Sequence, residues 1–258
     1  MELINSTQNK FHHLAQYLAA FSNSYLEKRP DDSQSALIWS ISKSALQSQK
    51  VNDLYLELSY QEVYLRIYKN DTFKELDLLG LTESGIDSWI RETLEDFGLS
   101  ASKYHHDLGF SIETPFDTFV SLDNEDEKII LQLIEQRNIA QKALESVKVQ
   151  QNNTSSIYVW PHHFDTGMLV YEDNSQEKGF GLGYAIADDN VYQLPYYYAY
   201  PFSNKKIDYA NLKPLANGQW ILGNWNGAII PVDEKYDLNV VEKFYKDFID
   251  EMNDRLEH

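Results

Sequence analysis

The order in which helical and strand-like segments follow one another most constrains the fold of this chain. Apolar residues recur at helical spacing in four segments, at about residues 11–25, 84–97, 123–148 and 237–252. Segments with strand-like alternation lie between them in runs rather than singly. Because strands and helices do not alternate regularly, a doubly wound parallel sheet is not expected. The order predicts an α+β fold, with mainly antiparallel sheets and about four main helices.

The strand pattern occurs in ten short segments, where apolar and polar residues alternate or where aromatic and β-branched residues cluster. Asn226-Gly227 predicts a two-residue hairpin turn between the last two of these strands. The predicted strands are 54–58, 63–67, 73–78, 108–112, 157–160, 167–171, 180–187, 196–200, 219–222 and 228–230.

The helix at 123–148 and the polar stretch 149–156 that follows it mark the best candidate division of the chain. We therefore expect an N-terminal α+β half at 1–122. The second half, 123–255, would contain the long helix, an antiparallel meander and a C-terminal helix. The two halves could also share one core. Residues 256–258 look like the remnant of a tag.

Composition excludes several classes of partner and site. The 258 residues include 40 acidic and 22 basic side chains, a net charge of -18, and no cysteine. Nucleic-acid and anionic-membrane binding need clustered positive charge, so neither partner is expected. Disulfides, iron–sulfur clusters and thiolate zinc sites are also excluded. With no signal-peptide pattern and no long apolar run, we expect a soluble, acidic, cytoplasmic protein.

The segment Trp160-Pro161-His162-His163-Phe164-Asp165 carries the candidate catalytic pair. In an extended chain, His163 and Asp165 would point to the same side. A carboxylate beside an imidazole can fix its tautomer and raise its basicity, and the same two groups could contribute to binding a metal. Two ligands do not make a metal site, so none is predicted. The alternative is that both side chains bind loop backbone.

Two further histidine pairs occur, His12-His13 and His105-His106. The three pairs could converge on one metal, but their spacing matches no ligand pattern. One histidine of the first pair is expected to face solvent, because the pair lies on the first helix.

A glycine-rich strand follows at 179–186. Small residues occupy one of its faces and larger apolar residues occupy the other. Such a bare face is either packed under a neighbouring aromatic ring, which we favour, or open as the floor of a ligand site. The small residues are Gly179, Gly181, Gly183 and Ala185.

Three tyrosines of the segment between Pro195 and Pro201 share one face of the next strand. Tyrosine offers an apolar ring with a polar tip, which suits ligand pockets and interfaces. Together with the aromatic residues near the histidines and with two of the glycines, they form the candidate ligand-binding set. This set is Trp160, His162, Gly181, Gly183, Tyr196, Tyr198 and Tyr200.

Over roughly residues 155–205 the chain resembles an uncharacterised bacterial domain family of unknown function. The resemblance rests on three stretches: Trp160–Asp165, Gly179–Tyr184 and Pro195–Pro201. Phe164-Asp165 and Ala199-Tyr200-Pro201 match best, whereas His162 and His163 are not part of the shared pattern. The resemblance implies a bacterial cytoplasmic origin and supplies no activity. It also favours Asp165 and the tyrosines, rather than a metal site, as the functional groups.

Three functions follow from these features. The preferred one is a small-molecule-binding protein with an aromatic cleft in the C-terminal half. The second is a hydrolase or metal-dependent enzyme that uses His163 and Asp165. The third is a non-catalytic protein-interaction module built on exposed tyrosines. The sequence identifies no reaction, ligand, cofactor or oligomeric state.

Overall fold

The computed structural model describes residues 2–112, 121–232 and 237–256. Within these ranges it contains four α-helices and two antiparallel sheets of five and six strands, which confirms the predicted α+β fold. The helices are α1 (Glu2–Tyr25), α2 (Glu83–Asp96), α3 (Glu127–Gln150) and α4 (Leu238–Leu256). No helix in the described part of the chain combines the length and apolar character needed to cross a bilayer.

The first sheet contains β1 (Ile38–Ser40), β2 (Ala45–Gln47), β3 (Leu54–Ser59), β4 (Tyr64–Lys69) and β5 (Thr72–Asp77), paired in chain order. The second has the order β10-β11-β9-β8-β7-β6. Its strands are β6 (Tyr158–Val159), β7 (Thr166–Tyr171), β8 (Lys178–Ala185), β9 (Tyr196–Ser203), β10 (Gln219–Ile221) and β11 (Gly227–Pro231).

Several local expectations were wrong. Strands β1 and β2 carry only three residues each, too few for their alternation to be recognised, and residues 108–112 form no strand. The hairpin turn is not at Asn226-Gly227, because Ile221 pairs with Gly227 across β10 and β11. The loop is residues 222–226, and the side-chain oxygen of Asn226 accepts the backbone N–H of Gly223 at 2.9 Å.

The chain forms two compact units, and the boundary falls inside α3. We call residues Met1–Glu135 with Val159–Phe164 the first unit. Residues Gln136–Tyr158 with Asp165–His258 are the second unit.

In the first unit, α1 packs against β3. The alternating leucines of β3 are almost completely buried, and the apolar face of α1 is buried along most of its length. Each such aliphatic or aromatic side chain contributes about 1.5–3 kcal/mol by leaving water. This makes α1 the central structural element of the unit. The side chains are Leu54, Leu56 and Leu58 on β3, and Phe11, Leu14, Leu18 and Phe21 on α1.

In the second unit, one face of the sheet packs with α3 and α4 in a single apolar cluster. The large residues of β8 point into this cluster because they alternate with the glycines. Phe180 meets Phe248 of α4 edge to face, with ring centroids 6.0 Å apart. The glycines of β8 consequently lie on the opposite face of the sheet.

Candidate functional site

The segment Trp160–Phe164 forms a tight turn and is not extended. The backbone N–H of Phe164 donates to the carbonyl of Trp160 at 2.7 Å, and Phe164 has φ of 56°. Such a left-handed conformation is unusual for a bulky residue. The alternation that would bring His163 and Asp165 to one side does not apply here. His163 belongs to the first unit and Asp165 to the second.

Helix α1 holds this turn in place. The carbonyl oxygen of Pro161 accepts hydrogen bonds from His12 Nε2 and Gln16 Nε2, both at 2.8 Å. The fully buried ring of Phe164 stacks on the ring of His12, with centroids 4.9 Å apart and planes 9° apart. His12 and His13 are both buried, so the expectation that one faces solvent was wrong. Burial is possible because His12 has a partner in the turn.

The turn exposes the second histidine pair beside aromatic neighbours. His162 and His163 are exposed, with ring centroids 4.5 Å apart. The ring of His162 also lies 6.0 Å from Trp160 and 5.7 Å from Phe110. Among the residues that the structure describes, no group of three or more His, Asp or Glu side chains is arranged to hold a metal ion.

A cleft of about 240 Å³ opens beside this turn, entirely within the first unit. It is formed by three segments: the loop after α1, residues 108–110, and the turn itself. Three aromatic rings and several polar side chains line it. The lining residues are Lys28, Asp31, Asp32, Ser35, Leu108, Gly109, Phe110, Trp160 and His162.

All three segments are tied to α1. Asn23 Nδ2 donates to the carbonyl of Asp107 at 2.9 Å, just before residues 108–110. Asn23 Oδ1 accepts from Gln34 Nε2 of the loop at 3.0 Å. The turn is held through Pro161, as described above. One helix therefore sets the relative positions of the three walls.

The loop at 28–35 supplies the charged groups of the cleft. The Ser33 side-chain hydroxyl, together with the Ser33 backbone N–H, stabilises the Asp31 carboxylate and lowers its pKa. The backbone N–H of Ser33 donates to Asp31 Oδ1 at 3.2 Å. Asp32 forms an exposed ion pair with Lys28, whose Nζ lies 3.4 Å from Oδ1. Asp31 is therefore a stable anion at neutral pH.

In the second unit, tyrosine rings cover the glycines of β8. A Cβ added to Gly181 would lie 2.2 Å from ring carbons of Tyr200, and one added to Gly183 would lie 2.5 Å from Tyr198 Cζ. These approaches are possible only without a side chain. The favoured interpretation of the bare face is therefore the one observed. Gly181 and Gly183 do not form an open ligand floor, because the rings fill that space.

Asp165, which immediately precedes β7, forms a hydrogen bond with this aromatic layer. The hydroxyl of Tyr198 donates to Asp165 Oδ2 at 2.5 Å. Burial, and then the negative charge of Asp165, hold the pKa of Tyr198 well above its ordinary value. Burial likewise raises the pKa of Tyr196, with smaller contributions from Asp188 and Asp165. The phenols stay protonated near neutral pH, so the layer acts as packed structure with one charge-assisted hydrogen bond.

The sequence-predicted ligand residues thus fall into two groups. Trp160 and His162 line the first-unit cleft, whereas the glycines and the three tyrosines belong to the second unit. Sequence reasoning missed the charged loop, because Lys28, Arg29 and Pro30 signal only the end of a helix. Its one local signal is Asp31 followed two residues later by Ser33, which is typical of an Asx turn.

Comparisons of the chain with family models, with curated proteins and with solved structures found no match.

Proposed function

We propose that this protein binds a small molecule in the first-unit cleft. The observation that carries the proposal is the turn at 160–164, which α1 holds so that Trp160 and His162 border the cleft. Strained backbone persists only where the surrounding structure enforces it, and it concentrates at functional sites. Phe164 is such a residue.

The chemistry of the walls supports binding. Ligand sites combine apolar and aromatic surface with a few polar groups. The cleft has rings from Phe110, Trp160 and His162, with carboxylates and an ammonium group at its edge. Its volume of about 240 Å³ lies below the range for drug-sized ligands, so the ligand is small.

The tethering of all three walls also favours binding. Ordering loops and side chains on association costs affinity, and a pre-formed site avoids that cost. Here hydrogen bonds from Asn23, Gln34, His12 and Gln16 order the walls in advance. The ligand site proposed here lies at the turn, whereas the sequence predicted it at the tyrosines. The hydrolase and the interaction module remain predictions that this site does not require.

Nuclear magnetic resonance of isotope-labelled tryptophan side chains tests the proposal. The five tryptophans give five indole signals, and the Trp160→Phe variant identifies the one from the cleft. We expect compounds from a library of small soluble molecules to shift the Trp160 signal. Trp160→Leu should weaken their binding by about tenfold or more, because ring stacking is lost.

Trp220→Phe in the second unit is the matched control, and it should leave binding unchanged. Trp220 is partly buried against Phe248 and its indole donates to the Lys213 carbonyl at 2.9 Å, away from the cleft residues in sequence. His162→Ala removes an exposed ring and provides a second, structurally mild variant. The proposal would be overturned if compounds bound to Trp160→Leu and to His162→Ala as tightly as they bind to the unmodified protein.

A further inference from the structure

We infer that the ligand of the first-unit cleft is a small organic cation, such as a quaternary or protonated amine. This inference rests on the proposed function and adds a ligand class to it. Three observations carry it: the charge of the lining side chains, the position of the lysine, and the aromatic rings.

The lining side chains carry a net negative charge. One lysine, Lys28, stands against two aspartates, Asp31 and Asp32, which leaves one negative charge. The ion pair between Lys28 and Asp32 accounts for the positive charge and one of the two negative charges. Asp31 is then the lining carboxylate outside that ion pair, and the positive charge of the nearby Arg29 also acts on it. The nearby Arg29 directs its Nη1 to Ser33 Oγ at 3.3 Å and is not among the lining residues.

The lysine lies at the edge of the cleft and does not fill it. The side chain of Lys28 is 78% exposed and that of Asp32 is 59% exposed. An anionic ligand would need positive charge inside the cleft, where no arginine or second lysine lies among the lining residues. A cation can approach the Asp31 carboxylate, on which the charge of Arg29 also acts, without breaking the ion pair between Lys28 and Asp32.

The rings complete the preference for a cation. An ammonium group is attracted to the face of an aromatic ring, most strongly to tryptophan. The ring of His162 contacts both Trp160 and Phe110 edge to face, with centroids 6.0 Å and 5.7 Å away. A neutral polyol could stack on Trp160 and donate a hydrogen bond to Asp31, but it would carry no charge to balance the carboxylate. The protein's net charge of -18 also raises the local concentration of cations.

Choline and its uncharged isostere 3,3-dimethylbutan-1-ol provide the direct test, because they have the same shape and differ in charge. Isothermal titration calorimetry of the full chain should show saturable binding of choline. Binding of the isostere should be about tenfold weaker or more. Glucose serves as the neutral polyol probe.

Asp31→Asn should weaken choline binding by about tenfold, and Trp160→Leu by a similar factor. Asp173→Asn is the matched control, since Asp173 makes the same local turn with Ser175 in the second unit. Its Oδ1 accepts the Ser175 backbone N–H at 2.8 Å, as Asp31 does with Ser33. The control should bind choline as the unmodified protein does.

The outcomes separate this inference from the proposed function. Equal binding of choline and the isostere, or unchanged choline affinity in Asp31→Asn, would overturn the cation assignment. Absence of choline binding by the unmodified protein would also overturn it. If glucose binds instead, and Trp160→Leu abolishes that binding, the cleft is a ligand site for a neutral molecule. If no probe or library compound responds to Trp160→Leu, the proposed function itself fails.

Discussion

The two units use aromatic residues in different ways. In the second unit, Tyr198 and Tyr200 lie against glycines of the neighbouring strand and leave no space between ring and sheet. In the first unit, Trp160 and Phe110 come from separate segments held by α1, and a cleft remains beside them. Clustered rings alone therefore do not indicate a site. What lies opposite the rings decides whether the space is filled or open.

Alkaline pH gives the largest expected effect, because buried phenols of both units titrate whereas the cleft rings of Phe110 and Trp160 do not. Burial raises the pKa of several tyrosines above the ordinary value of 10.0, while the unfolded chain ionises near that value. The stabilisation is complete below pH 10 and is lost as the pH rises toward the folded-state values. The most buried of them are Tyr17, Tyr104, Tyr196 and Tyr245.

Each of these four tyrosines should lower the free energy of unfolding by about 1.4 kcal/mol per pH unit above pH 10. Together they should lower it by on the order of 5 kcal/mol at pH 11. Tyrosinate absorbance and circular dichroism, recorded together, measure this. The buried phenols should ionise in the same step in which the circular dichroism signal is lost, because their ionisation requires unfolding. Titration of all tyrosines near pH 10 with an intact fold would contradict the prediction. Tyr198→Phe should make the free energy of unfolding less dependent on pH above pH 10.

Gly183→Ala tests the filled space directly. The added Cβ would lie 2.2 Å from the carbonyl oxygen of Thr166, which is backbone and cannot rotate away. Overpacking of this kind costs about 1–3 kcal/mol or more, and we expect the upper end, measured by urea denaturation. Gly181→Ala should cost less in a Tyr200→Ala background than in the unmodified protein, because the three atoms nearest to the added Cβ all belong to the Tyr200 side chain.

Gly85→Ala provides the control for glycine replacement. Gly85 lies in α2, where an added Cβ would make an ordinary contact of 3.5 Å with Thr82 Oγ1. This variant should raise stability by about 0.5–1 kcal/mol, because alanine favours the helix. A Gly183→Ala variant as stable as the unmodified protein would show that the second-unit rings do not fill the space rigidly.

Replacing the hydrogen-bond donors of the turn gives the smallest expected effect and tests the open space. His12→Phe keeps a ring to stack on Phe164, and Gln16→Leu keeps the volume, but each removes one bond to the Pro161 carbonyl. Each change should cost about 1 kcal/mol in urea denaturation. The double variant should cost more than the sum, since the buried Pro161 carbonyl then loses the donors from both His12 and Gln16.

The same variants should bind more weakly to the compounds that shift the Trp160 signal, because the turn borders the cleft. Strictly additive costs, together with unchanged ligand affinity, would show that α1 does not position the turn.

The fold class could be predicted from sequence because long periodic segments are informative. All four helices and most strands of the second unit were found, and β8, predicted at 180–187, lies at Lys178–Ala185 with Phe180 and Leu182 on the face opposite the glycines, as predicted. Favouring ring cover for the glycines was also correct. Short strands such as β1, with three residues, carry too little alternation to recognise.

The site could be predicted only in part. Trp160 and His162 were selected as aromatic residues near a turn signal, but their partners lie far away in the sequence. Lys28 and Phe110 join them through hydrogen bonds to α1 that no local pattern reveals. The His163–Asp165 alternation failed because it assumed an extended backbone, and nothing in the sequence predicts a left-handed phenylalanine at position 164.

The path of the chain restricts how this protein can be altered by recombination. The backbone changes unit three times, after Glu135, after Tyr158 and after Phe164. A single break in the gene cannot release either unit whole, and a piece ending in α3 lacks the five-residue turn altogether. Shuffling, fusion or loss of one unit would need coordinated cuts, so we expect the two to be inherited together.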